Sequence, residues 1–425
     1  MLYSRRERRR VELRGLDEAL GGDVSGLRFP QRSPASVNPV WDRARWALPG
    51  SMFLGTFAWS FVQVSLPFYI HAMSPFDEAS TLRWTGWILG ISSLITMITA
   101  PISGRLAHGR DPKHGFVAVQ GLQGLGFLFM ALARTLPQML FARALLGLMG
   151  AVSTFAFIMV GRAKGDVRRE IAALQSSMTL GQVLGPPVGA VFAARLGFRL
   201  SFIIAAVMLV ACSVMVVWGV PAAAATEVAS PRRGRISVRE MSLASVLVMA
   251  ASIQVFFLIA ILPQVLPPLG IAAESTLEVG GLVLFASGIA TALGSVATPR
   301  LADLVGERRA VLWALTAASL AMAALALAGN VWTFSVVRVV QMLCIAPIFP
   351  LSVAAIASRA SGQAIGLLNS ARIGASFLGP VMATTLLTWL SPGAVYLVLA
   401  ALGLAAVPLV IRLAERPGGR DVSPV

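Results

Sequence analysis

Runs of about twenty residues without a single charge recur along this sequence, and such a run spans a ~30 Å hydrocarbon core as an α-helix. Trp84 to Gly104, Gly115 to Ala133, Ile171 to Ala194 and Gly280 to Pro299 are four of them. Charged residues make up 13% of the chain and apolar ones 56%, whereas soluble domains carry about 25% charge. The chain is therefore read as an all-α membrane protein. Twelve spans are expected, at about 47–72, 84–103, 115–133, 136–160, 171–194, 200–220, 243–268, 279–298, 310–328, 331–357, 363–390 and 393–414.

The net charge of +16 raises the question of a nucleic-acid partner, and the placement of the cations answers it. With alternating loops, twenty-eight arginines and lysines fall on the face that holds both termini, against Arg83, Arg134, Arg195 and Arg199 on the other. That asymmetry predicts cytoplasmic termini by the positive-inside rule. The basic arm over residues 1–46 lacks interleaved aromatics, so it reads as an orienting segment beside anionic lipid and no nucleic-acid partner is expected. Its start, MLYSRRERRRVELRG, is too charged for a signal peptide, and no cleavage is expected. Cys212 and Cys344 both fall inside spans at no metal-ligand spacing, so neither a disulfide framework nor a metal site is predicted.

The second half of the chain repeats the first at a nearly constant offset. STLRWTG at Ser80 is answered by STLEVGG at Ser275, GRLAHGRDPKH by PRLADLVGERR, and FARALLG by VVRVVQM with Arg143 matching Arg338. QSSMTLGQVLGPPVGA is answered by NSARIGASFLGPVMAT, with Gly185 matching Gly379. Two six-helix halves, 47–220 and 243–414, are expected on either side of a cytoplasmic linker at 221–242, with a tail at 415–425. Glycine costs ~1 kcal/mol and proline ~3 kcal/mol against alanine inside a helix. Three glycines and two prolines in LGQVLGPPVGA therefore predict a tightly packed, bent helix in a bundle, since close backbone approach is what glycine permits in lipid.

Two parallel six-helix repeats with a central cytoplasmic loop resemble the major facilitator superfamily, a transporter fold in which the halves rock about a midplane site. GRLAHGRDPKH and PRLADLVGERR resemble its loop motif GxLaDrxGrkr, LFARALLGLMGA its helix 4 motif, and GQVLGPPVGA its helix 5 motif GxxxGPxxGG. Within the superfamily the chain is most similar to the twelve-helix drug:H+ antiporters of the MdtG type, which share RALLGLxG and an arginine seven residues before GP, here Arg372. The resemblance implies gating roles for Gly104, His108, Asp303, Gly306 and Arg309 in the loops. It also implies that Gly181, Gly185, Pro186 and Gly189, with Pro187, form the bend where helix 5 packs against the other half. His108 stands where the family prefers Asp, and Asp111 replaces its second Gly, whereas the second copy keeps Asp303 and Gly306.

Three arginines, Arg143, Arg338 and Arg372, lie inside predicted spans, where each costs ~2.5–3.5 kcal/mol on insertion scales. Such residues face a cavity or a partner. Arg338 and Gln341 share one helix face at i,i+3, as do Asn369 and Arg372. Gln63, Gln254 and Gln175 add uncharged polar groups, and helices 1, 4, 7 and 10 line the cavity by resemblance. Arg143, Arg338, Gln341, Asn369, Arg372, Gln63 and Gln254 are the substrate-binding candidates. The alternative for Arg143 and Arg338 is that they bond backbone carbonyls of neighbouring helices, and for the glutamines that they join helices.

A secondary active exporter of drug-like or amphipathic molecules, working by alternating access in a bacterial inner membrane, is the leading expectation. Its partners would be a small-molecule substrate, lipid and protons as a candidate coupling ion, with the protein a monomer. An importer or exchanger of organic anions and a non-transporting sensor are the alternatives. No cofactor is implied, and an enzyme is not expected for want of a nucleophile, metal or acid/base cluster. No carboxylate lies at hydrocarbon depth in any span. A proton carrier would then be peripheral, Glu170 or Asp303, or the substrate's own titration would serve.

Overall fold

The computed structural model describes residues 39–106, 111–150, 152–162, 167–221, 237–357 and 362–414; His108 and most of the linker lie outside them. The described residues form helices and no strand. In the first half, α1 comprises Pro39–Gln63 and Leu66–Met73, α2 Glu78–Leu106, α3 Pro112–Leu132, α4 Leu136–Leu148 and Val152–Arg162, α5 Val167–Leu196 and α6 Phe198–Gly219. In the second, α7 comprises Val238–Phe256 and Leu258–Val265, α8 Thr276–Val305, α9 Glu307–Ala324, α10 Val331–Ile345 and Ile348–Ala357, α11 Gly362–Leu387 and α12 Pro392–Ala414. Each corresponds to one expected span. Nine stretches among the described residues are long and apolar enough to cross a membrane by length and composition. The others, α2, α5 and α11, have 29, 30 and 26 residues and, as shown below, spend part of their surface on the opposite half.

Helix ends follow local chemistry. α7 starts at Val238, earlier than expected, because Ser237 and Glu240 form a reciprocal capping box, which satisfies two orphan N–H groups. α8 runs on to Val305 and stops at Gly306, whose φ of +82° suits glycine alone. At the start of α3, Asp111 accepts from the Lys113 amide at 2.9 Å. The Lys113 ammonium donates to the Val217 and Val220 carbonyls at 2.9 and 2.6 Å, capping the end of α6 where the helix dipole favours a cation.

Every third helix is interrupted: α1, α4, α7 and α10 each consist of two segments, and the other eight do not. Proline explains two of the breaks: Pro67 and Pro347 lack the N–H that would bond the carbonyls of Gln63 and Leu343. In α7 the break falls at Phe257, and Pro263 lies within the second segment. In α4 the break falls at Met149 and Gly150 with no proline. By contrast α5 runs unbroken through Pro186 and Pro187.

The core is one body at one end and several at the other. At the end away from the described chain ends, here the far end, a single apolar cluster joins Phe61, Leu66 and Ile70 of α1 to Phe257, Leu262 and Leu266 of α7. A smaller one joins Val64, Ala190 and Ala193 to Leu277. At the near end the cores separate: Leu48, Met52, Phe155 and Val216 cluster within the first half, and Leu247, Leu315, Ile345 and Val410 within the second. The bundle is closed at its far end and divided at its near end.

Candidate functional site

The far-end closure is built twice from the same parts. Gly86 on α2 lies so close to α11 that an added Cβ would stand 3.2 Å from the Pro380 carbonyl oxygen and 3.1 Å from the Val381 Cα. On α8, a Cβ at Gly281 would stand 3.0 Å from the Pro186 carbonyl oxygen and 3.3 Å from the Pro187 Cα of α5. Gly86 and Gly281 occupy matching places in STLRWTG and STLEVGG, and Pro186 matches Pro380. Each half therefore offers a glycine to the other half's Gly-Pro pair. Gly288 against Val183, Gly90 against Phe377, and Trp87 packed on Phe377 at 5.5 Å extend these contacts.

The helix 5 glycines themselves do something else. A Cβ at Gly181, Gly185 or Gly189 would run into the backbone of Phe53, Phe57 or Phe61 on α1, so three glycines four residues apart meet three phenylalanines four residues apart. Ridge and groove repeat in step. Thr56 adds a hydrogen bond from its hydroxyl to the Met178 carbonyl at 3.1 Å. The expectation that these glycines face the opposite half is corrected: they bind α5 to α1 within the first half. The other face of α5, at Val183, Pro186, Pro187 and Ala190, meets α8.

The buried arginines are held in the walls. Arg143 is 2% exposed; its Nε donates to the Ile88 carbonyl at 3.1 Å and its Nη2 to the Leu89 carbonyl at 2.9 Å. Its guanidinium lies 5.4 Å from the centre of the Trp59 ring, within cation–π range. Trp59 Nε1 donates to Gln123 at 3.1 Å, and the Gln123 amide donates to the Met149 carbonyl at 2.7 Å, at the break in α4. Arg338, 1% exposed, donates to the Gln254 and Val255 carbonyls at 2.9 Å each and to Gln341 Oε1 at 2.5 Å. Those carbonyls would otherwise bond residues beyond the break in α7. Gln254 and Gln341 are both fully buried, and Gln254 turns its amide to Ser319 of α9 at 3.0 Å.

The remaining candidates separate from these four. Gln63 is half-buried at the end of the first α1 segment. Asn369 and, one turn on, Arg372 are exposed on one face of α11. The Arg372 guanidinium lies 4.8 Å from the centre of the Phe349 ring on α10. Asp303 and Arg309 are exposed at the near end, beside the Gly306 turn; Gly104 lies in α2 near its near-end terminus. Gly86, Gly281 and Gln123 were not singled out from the sequence. The signal for the two glycines lay in the first repeat match; for Gln123 there was none.

Comparison with known proteins agrees with this architecture. The sequence model of the Major Facilitator Superfamily matches residues 50–272 and 244–425. The chain is 27% identical to an uncharacterized MFS-type transporter, YuxJ, of Bacillus subtilis (strain 168), over 75% of this chain and 83% of that one. It is 24% identical to the multidrug resistance protein MdtG of Citrobacter koseri, over 80% and 86%. Among solved structures, the nucleoside transporter NupG superposes with a TM-score of 0.68 at 11% identity, covering 88% of this chain and 99% of that one. A bacterial homolog of the human lysosomal transporter Spinster, inward-facing and unoccupied, gives 0.65 at 14%, covering 89% and 96%.

Proposed function

The chain belongs to the Major Facilitator Superfamily, and from that premise we propose that it exports drug-like or amphipathic small molecules across the bacterial inner membrane by alternating access. One observation carries this reading: two repeated halves share a core at the far end and keep separate cores at the near end. With the near end cytoplasmic, as the arginine distribution favours, the conformation is open to the cytoplasm. Breaking the Gly86–Pro380 and Gly281–Pro186 contacts while joining the near-end cores would expose the same cavity on the other side. Gly306, Asp303, Arg309 and Gly104 stand at the near end, where such a joining would form.

Sequence similarity to MdtG proteins supports drug efflux. The test is efflux from cells and proteoliposomes. Expression should lower accumulation of amphipathic dyes, and Gly281→Leu should abolish the effect at unchanged protein level. Equal accumulation with and without the wild-type protein, across dyes of both charges, would reject export.

A further inference from the structure

Of the three intramembrane arginines, two are buried and bonded to helix carbonyls, although the Arg338 Nε has no partner, and one is exposed. Arg143 and Arg338 are at most 2% exposed and bond the carbonyls of α2 and α7. Arg372 is exposed, and no hydrogen bond or ion pair is recorded for it among the described residues; what it has is the face of Phe349 at 4.8 Å. It lies ten residues from the start of α11, about 15 Å along the helix axis, which is close to the midplane of a ~30 Å core. Asn369, one turn nearer the open end, is exposed on the same face. The sequence holds no Asp, Glu or His at that depth in any span; its carboxylates fall in loops and in the terminal turns of helices. An unmatched guanidinium beside an aromatic ring, with no competing carboxylate, offers a head group site for an anion and an apolar site for its tail.

We infer that Arg372 binds the head group of an amphipathic organic anion, and that export of this anion is driven by the membrane potential without exchange of a proton. This rests on the export reading above and deepens it. Arginine holds its proton throughout the physiological range, so the binding site has nothing to release on the far side. An anion that leaves an inside-negative cell moves down the electrical gradient, and one charge across 100 mV corresponds to ~2.3 kcal/mol, or roughly a fifty-fold concentration ratio. No second ion is needed for that ratio. Asn369 supplies a second hydrogen bond to the head group; Arg143 and Arg338 hold helices and leave selectivity untouched.

The experiment uses the full chain in proteoliposomes with three probes on one ring system: naphthalene-2-sulfonate, naphthalene-methanol and a naphthylmethyl-trimethylammonium salt. The sulfonate and the ammonium do not titrate. Sulfonate efflux should rise at least several-fold when potassium and valinomycin set the lumen negative, and should not change with a pH gradient at clamped potential. Arg372→Gln should lower sulfonate efflux about tenfold or more, while thermal stabilisation by naphthalene-methanol stays within about twofold of wild type. Glu170→Gln should leave sulfonate efflux unchanged. Lumenal pH changes stoichiometric with sulfonate movement, or equal loss of all probes in Arg372→Gln, would overturn the inference. Movement of the ammonium but not the sulfonate would also overturn it while leaving export standing. Failure of any naphthalene probe to bind or move would count against export itself, and against this inference with it.

Discussion

A backbone carbonyl freed by a helix break inside a bilayer has no water to turn to, so a side chain must take it. Gln123 does this for Met149, and Arg338 does it for Gln254 and Val255 with two arms of one guanidinium. A satisfied buried carbonyl is worth ~1–3 kcal/mol against an unsatisfied one. Gln123→Ala should therefore lower thermal stability in detergent by several degrees while leaving substrate-induced stabilisation intact. A drop in ligand response without a drop in melting temperature would move Gln123 from the wall to the site. Arg338→Gln, which loses the charge and the two-carbonyl reach together, should cost more than Gln123→Ala in the same assay, because charged hydrogen bonds contribute more and Gln cannot span both acceptors. Outside the spans, Ser80 lowers the Asp77 carboxyl below its usual range by hydrogen bonding. That contribution is present above the ordinary carboxylate pKa and fades as pH falls through the lowered one.

Helices in this bundle differ by what they must touch. α5 carries one face of glycines against the phenylalanine ridge of α1 and another, with its prolines, against α8. The first contact lies within the first half; the second joins the two halves. Substitutions on the two faces should thus separate. Gly189→Val would drive a branched side chain into the Phe61 backbone, forcing α5 from α1, so it should reduce folded yield in the membrane. Gly281→Leu on α8 should leave yield near wild type and lower transport at least about tenfold, since only the interface between halves is filled. Membrane yield and dye efflux, measured side by side, distinguish the two. Matching loss of yield in both variants would show that the α5–α8 contact is structural as well.

At the scale of the whole molecule, the expected topology has a direct check. A cysteine introduced at Ser230 should resist an impermeant maleimide in intact cells and react after permeabilisation; labelling in intact cells would invert the orientation and with it the direction of transport. The twelve spans, the repeat and the polarity of the loops were legible in the sequence because hydrocarbon imposes them locally. A ~20-residue apolar run, a cation in a short loop and a repeated motif each carry their physical reason along the chain. The Gly-Pro stretches were legible as close contacts for the same reason, since only glycine tolerates such an approach. Their partners were not. Whether Gly185 faced α1 or α8 depends on a rotation about the helix axis, and whether Arg338 or Arg372 faced open space depends on where the neighbouring helices break. Both arginines read alike in sequence, each one turn from an amide at i,i±3. Tertiary structure set them apart, because a guanidinium in a bilayer goes to the nearest free carbonyls, and only the fold decides which arginine has none within reach.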